Sequence, residues 1–122
     1  MTDIKCLDSS AWLAYYFGKI EEIKPIIEKE GLLITSTLCI FEVKKKILWL
    51  KQDPKIILDF IKERSGSIIP DLEIVEKAAS IAVEKKLGEM DALVYATAQA
   101  KKAELITADN DFRGLEKVKI IS

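Results

Sequence analysis

Four carboxylate side chains, far apart in the chain, are the residues whose types and spacing could carry out chemistry. They are Asp8, Glu42, Asp91 and Asp109. A cluster of carboxylates without histidine or thiolate suits hard divalent cations such as Mg²⁺ or Mn²⁺, whereas Zn²⁺ usually recruits nitrogen or sulfur ligands. With one or two such ions bound, the cluster can orient a phosphodiester, ionise the attacking water and neutralise the leaving oxygen. These residues therefore indicate metal-dependent phosphodiester hydrolysis.

The composition excludes most other catalytic groups. The chain of 122 residues contains no histidine, which removes imidazole acid-base catalysis, Ser-His-Asp and Cys-His nucleophile pairs, and histidine-ligated metal sites. Its 19 basic and 20 acidic residues leave a formal net charge of -1, so binding to a polyanion through bulk charge is not expected. Aromatic residues make up 7% of the chain, and no stacking platform for single-stranded nucleic acid is evident.

The cysteines and the apolar runs indicate the cellular compartment. Cys6 and Cys39 lie in apolar runs without a C-x-x-C spacing, which predicts buried, reduced thiols and fits a reducing cytosol. The apolar runs are shorter than the ~20 residues of a membrane span, and residues 1–3 show no basic region of an export signal. We therefore expect a cytoplasmic protein that has no membrane contact.

Short apolar runs of strand length alternate with longer helical patterns along the chain. The predicted strands cover residues 4–7, 32–35, 67–69, 104–107 and 118–121. The predicted helices cover residues 10–17, 20–30, 37–51, 54–64, 72–86 and 91–103. This order predicts one α/β domain over residues 1–122, a three-layer α/β/α arrangement with a mostly parallel central sheet.

The predicted sheet positions the four acids at one edge. Asp8 directly follows the first strand, and Asp109 follows the fourth. Ligands of such sheets bind at the carboxyl ends of the strands, where the strand order reverses. Asp91 begins an apolar helix, and Glu42 lies about one turn into the helix that follows the second strand. We therefore expect all four carboxylates to converge on one pocket.

Each aspartate also has an ordinary structural use. Asp8 and Asp91 are plausible N-caps of the helices that follow them. Asp109 could form an Asx turn. Asp111 could assist a metal ion or only shape the same turn. Taken singly, none of these residues decides between the two uses.

Glu42 and the lysines beside it have competing interpretations too. Glu42 stands four residues before Lys46, a spacing that allows an exposed helix pair worth only ~0.2–0.5 kcal/mol. Apolar neighbours such as Phe41 favour a functional role instead. Lys44, Lys45 and Lys46 could supply phosphate contacts around the acidic pocket, although a solvated helix face is the ordinary use of such a run.

The segments around the four acids share their order and spacing with one family. They read LDSSAWL at 7–13, TLCIFEV at 37–43, DALVYATA at 91–98 and LITADNDF at 105–112. These segments resemble the PIN-domain ribonucleases, and among them the VapC toxins of prokaryotic toxin-antitoxin pairs. The resemblance covers essentially the whole chain, and its most specific part is the last two segments.

The resemblance implies roles for named residues. It implies a metal-binding, catalytic site supported by hydrogen bonds from Ser9 or Thr107. Ser9 stands where the family more often has threonine, which keeps the hydroxyl group. The metal-binding and catalytic residues that it implies are Asp8, Glu42, Asp91 and Asp109.

The resemblance also implies a function and partners. The expected protein is a Mg²⁺- or Mn²⁺-dependent endoribonuclease that acts on an RNA substrate as the toxin of a toxin-antitoxin pair. Its expected partners are a small antitoxin protein that occupies the acidic site and a second copy of the chain in a homodimer. The same residues are equally consistent with a housekeeping processing nuclease.

Two other function classes compete with this one. The first is a catalytically silent PIN scaffold that binds RNA or a partner without cutting. The second is a signalling receiver of similar length, with Asp71 as the phospho-acceptor after the third strand. The receiver fits less well, because Asp8 is followed by two serines rather than paired acids and Ile121 is followed by Ser122 rather than lysine.

Overall fold

The structure is a computed structural model that describes residues 3–122. The prediction that no export signal is present considered residues 1–3, and of these Met1 and Thr2 lie outside the described residues. Within residues 3–122, no helix combines the length and the apolar character that crossing a membrane requires.

Strands and helices alternate along the described chain. The strands are β1 (Ile4–Leu7), β2 (Leu32–Ser36), β3 (Gly66–Ile68), β4 (Glu104–Thr107) and β5 (Val118–Ile120). The helices are α1 (Ser9–Phe17), α2 (Ile23–Glu28), α3 (Thr37–Trp49), α4 (Lys55–Arg64), α5 (Leu72–Lys85) and α6 (Glu89–Ala100). A short 3-10 helix covers Asn110–Phe112.

The strands form one parallel sheet with β1 at its centre. The spatial order is β3-β2-β1-β4-β5, and each neighbouring pair is parallel. Leu7 of β1 lies beside Ile106 of β4. The chain builds the sheet outward from β1 on one side and then from β4 on the other, so the strand order reverses between these two strands. A crevice for ligands opens at the carboxyl ends of strands at such a point.

Helices cover both faces of the sheet. Successive side chains of a strand point to opposite faces, and the two hydrophobic clusters follow this alternation. Cys6 and Leu105 pack with α5 and α6, whereas the next residues, Leu7 and Ile106, pack with the helices α1 to α4. The predicted three-layer α/β/α arrangement is confirmed. Cys6 and Cys39 are buried free thiols, also as predicted.

The predicted elements are present, with shifts at helix ends that have local causes. α2 begins at Ile23 rather than at residue 20, because in a longer helix the ring of Pro25 would clash with the carbonyl four residues earlier. Lys86 ends α5 in a left-handed conformation with φ of 56°. Gly88, two residues later, is the N-cap of α6, which begins at Glu89 rather than at residue 91.

Candidate active site

Asp8 lies at the carboxyl end of β1 and is only 6% exposed. Its backbone N–H donates to the carbonyl of Ile106 (3.2 Å), which continues the pairing of β1 with β4 by one residue. Its Oδ1 accepts hydrogen bonds from the backbone N–H of Ala11 (3.0 Å) and the hydroxyl of Ser10 (2.7 Å). Asp8 is therefore the N-cap of α1. The cap uses one carboxylate oxygen and leaves Oδ2 for other partners.

Two hydroxyl groups join Asp8 to the segment that follows β4. Thr107 is fully buried, donates to Oδ2 of Asp8 (2.5 Å) and accepts from the backbone N–H of Asp109 (3.0 Å). The hydroxyl of Ser10 accepts from the backbone N–H of Ala108 (2.8 Å) while it donates to Asp8. Sequence reasoning singled out Thr107 but not Ser10. The available signal for Ser10 was its position two residues after Asp8, the spacing at which Asp and Ser side chains form local hydrogen bonds.

Glu42 reaches the site from α3 and is partly buried. Its Oε1 accepts a hydrogen bond from the hydroxyl of Ser9 (3.2 Å), the first residue of α1. Among the ion pairs of residues 3–122, none joins Glu42 to Lys46. The exposed helix pair that the sequence allowed is therefore not formed, and the carboxylate turns toward α1 instead.

Three aspartates bring their carboxylates close together. Asp91 is in the first turn of α6, not at its N-cap. Asp109 is the N-cap of the short 3-10 helix, and its Oδ1 accepts from the backbone N–H of Asp111 (2.9 Å). Asp91, Asp109 and Asp111 each offer one oxygen, and these three oxygens all lie within 4.8 Å of one another. Across the described chain, no other set of three His, Cys, Asp or Glu side chains comes this close.

The electrostatics connect this trio to the other two acids. The pKa of Asp91 is raised to about 6, first because burial disfavours its charged form and then because of four negative neighbours. Those neighbours are Asp109, Asp111, Asp8 and Glu42, in decreasing order of effect. The pKa of Asp8 is also raised, mainly by burial and slightly by Asp109, while its hydrogen bonds oppose the rise. The Asp91 carboxyl therefore lies within electrostatic reach of all four other acids.

The donor set fits a hard divalent cation. The five acids supply carboxylate oxygens only, the ligand type that Mg²⁺ and Mn²⁺ prefer. No lysine or arginine of residues 3–122 forms an ion pair with any of them. Their mutual repulsion is therefore not neutralised by the protein, and a bound cation would relieve it.

The structure brings two of the four predicted acids into the close trio and places the other two around it. Asp91 and Asp109 join Asp111, whose part in the site the sequence left open, in the close trio. Asp8 lies beside the trio, connected to the Asp109 backbone through Thr107. Glu42 approaches from the α3 side and is held by Ser9.

The sequence matches one protein family. The family described as PIN domain matches residues 5–118. No curated protein sequence gives a significant match.

Several solved structures share the fold of this chain. A toxin-antitoxin complex from Klebsiella pneumoniae contains a chain that is 25% identical, with a TM-score of 0.80 over 94% of this chain and 95% of that chain. A VapBC complex from Rickettsia felis, bound to a DNA fragment from its promoter, gives a TM-score of 0.80 at 15% identity, over 98% and 99% of the two chains. A VapC toxin from Mycobacterium tuberculosis, described as cleaving the sarcin-ricin loop, gives a TM-score of 0.74 at 15% identity, over 97% and 99%.

Proposed function

This chain belongs to the PIN-domain family, and we propose that it is a metal-dependent endoribonuclease. The observation that carries the proposal is the convergence of carboxylates at the reversal point of the sheet, without a neutralising lysine or arginine among the described residues. Such a site suits phosphodiester hydrolysis. The proposed catalytic and metal-binding residues are Asp8, Glu42, Asp91 and Asp109, with Asp111 as a further carboxylate in reach of the metal.

Mg²⁺ or Mn²⁺ is the proposed cofactor. Asp91 and Asp109 would hold it, because their oxygens already converge with that of Asp111. When bound, such an ion polarises the phosphodiester and makes water a stronger nucleophile near neutral pH. The protein contributes the fixed positions of the carboxylates.

The hydrogen-bond network orients Asp8 and Glu42 for this role. Asp8 accepts three hydrogen bonds, so its carboxylate is fixed before any ligand arrives. Glu42 uses Oε1 to accept from Ser9, which leaves Oε2 to orient the attacking water. Thr107 and Ser10 act as positioning residues, since each bridges Asp8 to the backbone after β4.

The receiver hypothesis loses its support at Asp71. This residue is the N-cap of α5, and its Oδ1 accepts from the backbone N–H of Ile74 (2.9 Å). It follows β3 at the edge of the sheet, while the acidic trio lies beside β1 and β4. Its ordinary role as a helix cap accounts for it without a phospho-acceptor function.

We further propose that the chain is the toxin of a toxin-antitoxin pair in the cytoplasm. The Klebsiella pneumoniae relative belongs to a toxin-antitoxin complex, and the Rickettsia felis relative belongs to a VapBC complex. A small antitoxin protein is the partner that these relatives suggest. Its binding near the acidic site would block the access of RNA.

A homodimer is the second proposed assembly. α5 exposes Leu72, Val75 and Val83, of which Val83 is 83% exposed. Beside them, an apolar groove of about 250 Å³ runs between α5 and α6 and includes Val75, Ala79 and Leu93. Apolar surface of this kind is typical of protein-protein contacts. A second copy of the chain is its proposed partner.

One experiment tests the proposed activity. The purified chain is incubated with a single-stranded RNA in Mg²⁺, in Mn²⁺ and in EDTA, beside an Asp91→Asn variant purified in the same way. Cleavage is expected from the parent with a divalent ion, but not from Asp91→Asn and not in EDTA. As a matched control, Asp59→Asn removes an exposed carboxylate of α4 that pairs with Lys55 (2.7 Å), and it should cleave like the parent. Equal cleavage by Asp91→Asn, or cleavage in EDTA, would remove the proposal.

A further inference from the structure

One face of α3 extends away from the acidic site as a row of polar and aromatic side chains. Glu42, Lys45, Lys46 and Trp49 occupy positions i, i+3, i+4 and i+7, which lie on the same side of a helix. Together with Ser9 and Leu13 of α1, they line an open groove of about 350 Å³. From Glu42 to Trp49 the helix rises ~10 Å. The groove therefore begins at a proposed catalytic carboxylate and runs toward the end of α3.

The two lysines in the groove are available to an anionic ligand. Lys45 and Lys46 are exposed, and within residues 3–122 neither forms an ion pair. Glu42, the acid closest to them along this face, is hydrogen-bonded to Ser9 instead. Lys44 is also exposed but does not line the groove. Two of the three adjacent lysines thus present positive charge beside the acidic site.

Trp49 ends the groove with an exposed aromatic face. Its side chain is 78% exposed. The other tryptophan, Trp12, is fully buried, donates a hydrogen bond to Thr35 (3.2 Å) and packs edge-on against Phe60. Of the two tryptophans, Trp49 is therefore the one that is open to a planar ligand. An exposed indole beside cations is the combination that single-strand nucleic-acid sites use, with lysines on phosphates and an aromatic ring under a base.

We propose that this groove binds the single-stranded RNA substrate beside the cleavage site. Lys45 and Lys46 contact backbone phosphates, and Trp49 stacks on an unpaired base a few nucleotides from the scissile bond. The RNA must be single-stranded there, because a base inside a duplex offers no free face for stacking. Two of the four α3 residues that line the groove are lysines, and within residues 3–122 neither forms an ion pair. Their positive charge favours a polyanion over an apolar helix as the ligand of the groove. This inference rests on the proposed function for the identity of the ligand.

RNA binding in EDTA separates this inference from catalysis. The probe is a short single-stranded RNA of mixed sequence, and the readouts are its fluorescence anisotropy and the quenching of protein tryptophan fluorescence. Stacking on Trp49 should quench the exposed tryptophan. Trp49→Ala should weaken binding about 5- to 150-fold, the loss typical of one stacked base. Trp49→Phe, which keeps an aromatic face, should restore most of the affinity.

The chain offers matched controls on the same helix. Leu48→Ala removes a neighbouring exposed apolar side chain that does not line the groove, and it should bind RNA like the parent. Lys45→Ala and Lys46→Ala should each reduce the salt dependence of binding by about 0.7 in the slope of log K against log salt. Lys44→Ala removes the same charge from outside the groove and should leave that slope unchanged.

The outcomes distinguish this inference from the proposed activity. If the parent cleaves RNA with Mn²⁺ but Trp49→Ala shows unchanged RNA affinity and unchanged KM, the inference is wrong and the nuclease stands. If Trp49 is quenched by RNA in EDTA and Trp49→Ala loses affinity, but no divalent ion produces cleavage, the groove stands and the activity is wrong. If Trp49→Ala keeps its RNA affinity and instead loses a dimer, the groove belongs to a second copy and the inference is overturned.

Discussion

Thr107, the last residue of β4, donates a hydrogen bond to Oδ2 of Asp8, which stands 99 positions earlier in the chain. The same hydroxyl accepts from the backbone N–H of Asp109. One buried side chain thus connects the acid after β1 to the acid after β4. Because Thr107 is a buried residue of β4, the sheet fixes the Asp8 carboxylate relative to the backbone of Asp109.

The first prediction concerns this hydroxyl. Thr107→Val keeps the branched shape but leaves Oδ2 of Asp8 and the N–H of Asp109 without their partner. We expect a loss of about 1–3 kcal/mol in the free energy of unfolding, measured by urea denaturation, and a fall of about tenfold or more in cleavage rate.

Thr107→Ser is the matched control for this prediction, because it keeps the hydroxyl. It should retain most of the activity. A Thr107→Val protein that cleaves RNA at the parent rate would show that the bridge between Asp8 and Asp109 does not position the site.

The second prediction concerns the pH dependence of stability in the metal-free protein. The pKa of Asp91 rises from 3.8 to about 6 on folding, chiefly through burial. Between these values the folded state keeps a proton that the unfolded state has lost, so the free energy of unfolding falls as pH rises through this window. Asn cannot ionise. Asp91→Asn should therefore be more stable than the parent at about pH 7, and the difference should shrink toward about pH 4.

Asp59 provides a control of opposite sign for this measurement. The hydrogen bond and charge of Lys55 lower the pKa of Asp59, so its contribution to stability is present above its unfolded pKa and is lost as pH falls. Asp59→Asn should not gain stability at neutral pH. Thermal melts in EDTA across this pH range measure both variants. An Asp91→Asn protein less stable than the parent at neutral pH would contradict the raised pKa of Asp91.

The third prediction concerns metal addition. Ligands that bind only the folded state raise its stability, and the close oxygens of Asp91, Asp109 and Asp111 provide the binding site. Mn²⁺ should raise the melting temperature of the parent at neutral pH. The increase should be much smaller for Asp91→Asn, which lacks one carboxylate of the trio. An equal increase in both proteins would indicate that Mn²⁺ binds elsewhere.

The fourth prediction concerns the packing of α2. The guanidinium of Arg64 donates hydrogen bonds to three backbone carbonyls at the carboxyl end of α2. One belongs to Ile27 in the last turn (2.7 Å), and the other two belong to Lys29 (2.9 Å) and Gly31 (3.2 Å), which follow the helix. Lysine cannot reproduce this planar fork. Arg64→Lys should therefore lower the free energy of unfolding by about 1–3 kcal/mol in denaturant melts.

Arg113→Lys is the matched control for Arg64, because Arg113 is exposed. Within residues 3–122, its side chain donates only to Asn110 (3.0 Å). It should change stability by less than about 0.5 kcal/mol. Similar losses in the two variants would show that the three carbonyl contacts of Arg64 contribute little.

Sequence patterns predicted the strands, and the position of two acids at the strand ends, because both depend on local features. Short apolar runs indicated the strands, and Asp8 and Asp109 lie at the carboxyl ends of β1 and β4 because they follow these strands in sequence. The approach of Asp111 to Asp91 was not predictable, since it depends on how the turn after β4 folds against α6. The exposure of Trp49 was also unpredictable, because an apolar side chain at a helix end is buried or exposed according to what packs beside it.

The choice of partner for Glu42 shows the same limit. Its spacing from Lys46 suits an ion pair within α3, yet it accepts a hydrogen bond from Ser9, 33 positions away in sequence. An exposed helix pair contributes only ~0.2–0.5 kcal/mol, so a contact made by the tertiary fold easily replaces it. Weak local preferences of this size cannot be ranked without knowing which helices meet.

The fifth prediction concerns the homodimer. Val75 lies in the apolar groove between α5 and α6 and is 44% exposed. If a second copy covers this face, Val75→Glu places a charge in a desolvated contact, where no partner neutralises it. The parent should sediment at about twice 13.7 kDa, and the variant at the monomer mass. Ile56→Glu is the matched control: Ile56 is exposed on α4, across the sheet from α5, and its variant should stay dimeric. A parent that sediments as a monomer would contradict the proposed assembly.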